Sequence, residues 1–111
     1  MENLNFGSYS KKAAEMSIQG YENKLFVYIM GLSGEAGEVS EKFKKLYRDA
    51  GGNMTDTFKE EVRKELGDVL WYVNALGAEL GFSLEEIAQG NLDKISSRRA
   101  RNVQQGSGDN R

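Results

Sequence analysis

No cysteine, no histidine and no proline occur among the 111 residues, and each absence closes a class of explanation. Without cysteine there are no disulfides and no thiol nucleophiles. Without cysteine or histidine there is no zinc site built from those ligands, and no histidine-based acid–base or triad mechanism. Any catalysis must therefore run on carboxylates, Lys, Tyr, Ser or a metal. The lack of proline, with glycines gathered at a few places, points to helices joined by brief turns rather than to strands at regular spacing. Positive charge is not in excess either. Fifteen Lys and Arg stand against seventeen Asp and Glu, a net charge of -2, which argues against a nucleic acid polymer as the main partner. No stretch approaches the roughly 20 apolar residues of a membrane span, and MENLNFGSYSKK lacks the basic-then-apolar build of a leader segment. The expectation is a cytoplasmic, all-α, single-domain chain with no membrane association, whose modest core is completed by other copies of itself.

What the chain does have is paired acids. Glu35 and Glu38 lie in GLSGEAGEVSEKF, and Glu65 and Asp68 lie in RKELGDVLWYV. Residues three apart on a helix are surface neighbours, so each pair presents its carboxylates side by side. The short, glycine-bearing link RDAGGNMTD allows the two helices to lie antiparallel. Four carboxylates would then converge and repel one another unless a cation sat among them, which makes a magnesium site for phosphate chemistry the default reading.

Four main helices are expected: from near Ser8 to Ile18, ending around Gly20; from about Glu22 to Tyr47; from 57 to 80; and from 84 to 98. Thr57 with Glu60 and Ser83 with Glu86 fit the reciprocal cap that opens helices, and Gly81 fits the stop between them. At about 100° per residue, Leu25, Tyr28, Ile29, Leu32, Ala36, Val39, Phe43 and Leu46 form one apolar stripe on the second helix. Val62, Leu66, Val69, Val73, Leu76 and Leu80 form another on the third. Glu35 and Glu65 edge these stripes, and Glu38 and Asp68 lie further round. The arrangement directs all four acids into a partly desolvated groove. Gly31, Gly34 and Gly37 recur through the second helix and Gly67 lies inside the second acidic pair. Each costs a helix roughly 1 kcal/mol relative to alanine, so close approach of a helix or ligand is expected there, with a local helix break near Gly31 to Gly34 as the alternative.

Glu-x-x-Glu, 26 intervening residues, then Glu-x-x-Asp, in the context GLSGEAGEVSEKFKK and KELGDVLWYVNALGAELGFSLEEIAQGNLDKISSR, resembles the MazG-like, all-α nucleoside triphosphate pyrophosphohydrolases over residues 25 to 98. RRARNVQQGSGDNR is similar to the tail of a short, single-domain branch. The resemblance implies a MazG-like helical bundle over residues 1–103, with 104–111 a polar tail ordered, if at all, by ligand or interface. It implies hydrolysis of a nucleoside triphosphate to the monophosphate and pyrophosphate, in nucleotide-pool control or housecleaning. Mg²⁺, with Mn²⁺ as a substitute, would be held by Glu35, Glu38, Glu65 and Asp68. It also implies a homodimer or homotetramer.

Within that frame one acid not fully engaged with metal accepts the attacking water's proton, and Glu38 is the choice. Glu41 and Glu61 are outer candidates or ordinary solvated charges. Asn91, Lys94 and Arg98 share one face of the fourth helix and are placed to meet the phosphates. Tyr72, one turn beyond Asp68, and Trp71 beside it are the candidates for the base or sugar, with Phe6, Tyr9, Phe26 and Tyr28 behind them. Two alternatives stay open. One is phosphoribosyl-ATP pyrophosphatase, a poorer resemblance because Trp71-Tyr72 stands where a Tyr-His-like pair is expected. The other is a non-catalytic helical oligomer whose acids set packing specificity.

Overall fold

A computed structural model describes residues 3–17, 20, 22–102, 106, 108 and 109. Four helices follow in order: α1 (Phe6–Glu15), α2 (Lys24–Asp49), α3 (Asp56–Glu79) and α4 (Leu84–Ala100), with no strand among the described residues. None of these helices is long and apolar enough to cross a membrane.

The helix starts show which side chains won the capping positions. At α4 the expected pair operates: Ser83 Oγ accepts from the Glu86 amide at 3.1 Å, and Glu86 Oε1 accepts from the Ser83 amide at 3.3 Å. At α3 the cap is Thr55, whose Oγ1 accepts from the Phe58 amide at 3.1 Å, and not Thr57. Glu60 is drawn away instead by the Arg63 guanidinium three residues on. The start of α1 lies upstream of Ser8, because Asn5 Oδ1 takes the Ser8 amide at 2.9 Å while Ser8 Oγ takes the Asn5 amide at 3.0 Å. Serine here does the reciprocal work usually given to glutamate. The expected end of this helix at Ile18 lies outside the described residues. Asn23 caps α2, which starts and stops two residues later than expected and runs unbroken through Gly31, Gly34 and Gly37. The alternative of a break there is overturned.

Helix α2 folds back on α3. Phe43 meets Phe58 edge to face at 5.1 Å, Lys42 faces Glu61, and Tyr28 meets Trp71 at 6.0 Å. The partners on α3 rise as residue numbers on α2 fall, which is the antiparallel hairpin the link allows. Gly51 and Gly52 turn the chain at φ 61° and 79°, a left-handed conformation that side chains with a Cβ resist. Helices α1 and α4 pack against α3 and against each other. A hydrogen bond of 2.8 Å from Ser10 Oγ to the buried Asn74 Oδ1 ties α1 down.

This leaves a thin core. Among the described residues, Ala13, Tyr28, Leu46 and Leu84 are the buried hydrophobic side chains. Leu25 and Ile29 on α2, and Leu66 and Leu80 on α3, belong to the stripes expected to face the core, yet they stand exposed. The Cα radius of gyration is 16.9 Å, against about 13 Å for a compact chain of this length.

The glycines separate into two kinds. A Cβ on Gly31 would lie 2.7 Å from Tyr72 Cδ1 and nearer still to the ring edge, whereas at Gly34, Gly37 and Gly67 nothing lies within 4 Å. The expected close approach is therefore real at Gly31 and has no counterpart within this chain at the other three. Gly31→Ala is expected to destabilise by about 1–3 kcal/mol through overpacking, outweighing the roughly 1 kcal/mol gained in helix propensity. Gly34→Ala should show the propensity gain alone. Urea midpoints of the two variants check this, and equal stabilisation by both would remove the ring contact as the reason for Gly31.

Candidate functional site

Helix periodicity sets Glu35 on α2 opposite Glu65 and Asp68 on α3, with Asp68 one turn before Trp71 and Tyr72. Carboxylate oxygens of these three residues all lie within 4.8 Å of one another; Glu35 and Glu65 are half-buried and Asp68 is exposed. Such close like charges favour a shared proton when no cation is present. Accordingly the Glu35 carboxyl is pushed above its ordinary value, first by burial, then by its hydrogen bond with Glu65, then by the charges of Asp68, Glu65 and Glu38. All the donors are hard oxygens, the ligand type that magnesium and manganese take.

Glu38 does not join this group. It is exposed, and three residues along the helix have carried it about 60° from Glu35. Its charge nevertheless contributes, least of the neighbouring acids, to raising the Glu35 carboxyl.

Two recesses border the acids. One, of ≈ 320 Å³, is lined by Glu35, Asp68, Trp71 and Tyr72; the rings of Trp71 and Tyr72 meet edge to face at 5.1 Å. Both aromatic candidates thus stand beside the carboxylates. The other, of ≈ 350 Å³, opens toward the loop end of the hairpin, between Glu38, Lys42 and Lys45 on α2 and Phe58 and Glu61 on α3. Of the further aromatic candidates, Tyr28 is buried in the core. Phe6 and Tyr9 line a separate apolar recess with Leu70. The Tyr9 hydroxyl is held above its usual pKa by burial and then by the charge of Asp68.

The α4 candidates sit elsewhere. Asn91 and Lys94 line a recess with Phe82, Glu86 and Ile87, and neither recess at the acids contains an α4 residue. Arg98 is buried, and its Nε finds no hydrogen-bond partner among the described residues. Its Nη2 donates to Gly108 O and Asp109 Oδ1, both at 3.2 Å, and Lys94 Nζ donates to the same Asp109 oxygen at 3.0 Å. The tail thus meets this face through Asp109, within the same chain. Gln104, Gln105, Ser107, Asn110 and Arg111 lie outside the described residues.

One functional candidate escaped the sequence reading: Lys42, whose Nζ lies 3.8 Å from Glu61 and 4.0 Å from Glu65. Its position one turn beyond Glu38 was the available signal.

A family model described as the MazG nucleotide pyrophosphohydrolase domain matches residues 26–103, most of the chain and all of the acidic group. The chain belongs to the MazG nucleotide pyrophosphohydrolase family. It is also 50% identical over 82 residues to the Gene 37 protein of Mycobacterium phage L5, a match covering 74% of this chain and 72% of that protein. No solved structure matches. The MazG match takes in α2, α3 and α4, so the acids, both bordering recesses and the Lys94–Arg98 pair all belong to the shared domain. Helix α1 and Asp109 fall outside it.

Proposed function

We propose that this chain is a divalent-metal-dependent nucleoside triphosphate pyrophosphohydrolase, converting a nucleoside or deoxynucleoside triphosphate and water to the monophosphate and pyrophosphate. The observation that carries the reading is the convergence of Glu35, Glu65 and Asp68 within a family of nucleotide pyrophosphohydrolases. These three hold Mg²⁺, with Mn²⁺ as a substitute. The bound cation supplies charge neutralisation for the substrate phosphates. Glu38, next to the group and not in it, accepts the proton of the water that attacks the α-phosphorus. The bond from that phosphorus to the bridging oxygen breaks, and pyrophosphate leaves. Trp71 and Tyr72 offer ring faces to the base, a contact that discriminates weakly among bases. The expected setting is the cytoplasmic nucleotide pool.

The working form is a homo-oligomer. The chain exposes 8383 Å², where a compact monomer of 12.4 kDa exposes about 6,100 Å². Counted over two chains, the excess of roughly 2,300 Å² each lies within the total of about 2,000–5,000 Å² buried by an obligate interface. The exposed Leu25, Ile29 and Leu66 are the residues available to fill it.

Incubation with a nucleotide panel and Mg²⁺ is expected to release pyrophosphate and monophosphate in equal amounts. Release of single phosphate, or no turnover across the panel, would refute the reading. Phosphoribosyl-ATP belongs in the panel as the competing substrate. A non-catalytic helical module would ignore the nucleotide, whether or not it takes up Mg²⁺.

A further inference from the structure

We propose that Lys42 is the residue that receives the terminal phosphates of the substrate, and with them the pyrophosphate product, in the recess at the loop end of the α2–α3 hairpin. The assignment rests on the pyrophosphohydrolase reading and gives that site a direction.

Along the hairpin groove the chemistry is ordered. Trp71 and Tyr72 stand at one side of the acidic group, sharing a recess with Glu35 and Asp68. Lys42 and Lys45 stand at the other, in a recess that also holds Glu38, Glu41, Asp49 and Glu61, of which Glu41 is paired with Lys44 and Asp49 with Arg48. Aromatic faces, then the three-acid group, then the end that carries the two ammonium groups among further carboxylates follow the sequence of a nucleotide's own parts: base, metal-bridged phosphates, terminal phosphates. Helical rise puts Lys42 about 6 Å beyond Glu38 along the axis, within reach of a phosphate chain whose first members lie at the acids. The recess, ≈ 350 Å³, falls in the range of small-ligand sites, about 300–1,000 Å³.

Lys42 is also held in a way that leaves it available. Its side chain is 27% exposed, and its Nζ lies 3.8 Å from Glu61 Oε2 and 4.0 Å from Glu65 Oε1. Both separations are beyond hydrogen-bond range, so the ammonium is oriented by charge while its donors remain unspent. Glu65 belongs to the three-acid group. A cation taken up there competes with Lys42 for the Glu65 charge and leaves the ammonium for a new anion. The cations on α4 are differently placed, since Lys94 and Arg98 already share the Asp109 carboxylate.

The test is isothermal titration of the intact protein with Mg²⁺ alone, then with pyrophosphate, a nonhydrolysable nucleoside triphosphate and a nucleoside monophosphate in the presence of Mg²⁺. Wild type is compared with Lys42→Met, Lys42→Gln, Lys42→Arg and a Lys94→Met/Arg98→Met double variant, with a thermal melt of each. Both neutral replacements of Lys42 are expected to weaken pyrophosphate and triphosphate binding by about 10–100-fold, the loss of a charge-assisted contact. Monophosphate affinity should stay within about twofold, and Lys42→Arg should keep most of the wild-type affinity. The assignment is overturned if the neutral variants tighten Mg²⁺ while pyrophosphate affinity is unchanged, because Lys42 is then only a counter-ion of Glu65. It is equally overturned if the α4 double variant alone loses pyrophosphate. Wild-type protein that binds neither pyrophosphate nor the triphosphate analogue points instead to failure of the pyrophosphohydrolase reading, and takes this assignment with it.

Discussion

Asp68→Asn is expected to lower pyrophosphohydrolase turnover by about 10³-fold or more, a loss of roughly 4 kcal/mol in transition-state stabilisation. The position makes the test clean. Asp68 is exposed, so the change from carboxylate to amide removes a metal-holding charge without opening a cavity or stranding a partner in the core. Loss of one acid from a group whose oxygens all lie within 4.8 Å also relieves repulsion on Glu35, to which Asp68 contributes. The metal-free variant should therefore melt no lower than wild type. A steady-state assay beside a thermal melt reads both quantities. Turnover retained within tenfold would mean that Asp68 does not hold the cation.

The second large effect is on stability. Saturating Mg²⁺, at about 100 times its dissociation constant, is expected to stabilise by about 2.7 kcal/mol and raise the melting midpoint by about 10–20 °C. The size of this rise depends on pH in a direction set by Glu35. Its folded-state pKa lies above the ordinary 4.5, so the metal-free native state keeps a proton that the unfolded chain has already released. This group's contribution to metal-free stability is accordingly greatest in acid and declines as pH rises from about 4.5 through the raised folded-state value. Metal binding requires the deprotonated carboxylate, so it gains as pH rises through the same interval. The Mg²⁺-induced shift should thus be larger at pH 8 than at pH 5, with proton release visible as a buffer-dependent binding enthalpy. Glu35→Gln should raise the metal-free midpoint at neutral pH and abolish most of the Mg²⁺ response. A shift of the same size at both pH values would remove Glu35 from the cation's ligands.

The acidic group was legible in the sequence because its determinant is local. A spacing of three fixes direction on a helix, and the brief loop with Gly51 and Gly52 leaves one simple way to bring the two helices together. What the spacing does not carry is the depth of each acid in the groove. Glu38 and Asp68 are equivalent in the pattern, each lying further round than the acid at the stripe's edge, and only packing brings Asp68 into the group while leaving Glu38 outside it. The helix starts were misplaced where two caps compete. Thr57 with Glu60 carries the reciprocal pattern and Thr55 does not, but Glu60 is held by Arg63 and the cap falls to the Thr55 hydroxyl. Lys42 was missed because its partners, Glu61 and Glu65, lie across the hairpin, and cross-helix register emerges only after folding. The apolar stripes were read correctly as stripes, yet their exposed members show that periodicity marks a face without naming what covers it.

The Asp109 carboxylate on Lys94 and Arg98 has its own consequence for what α4 can accept. An anion arriving there meets a rival joined to the same chain only eleven residues from Arg98, and a tethered group of this kind acts as a local reagent at roughly millimolar strength. Displacing it demands a newcomer with more charge than one carboxylate carries. Small singly charged ions such as acetate are therefore expected to bind there weakly.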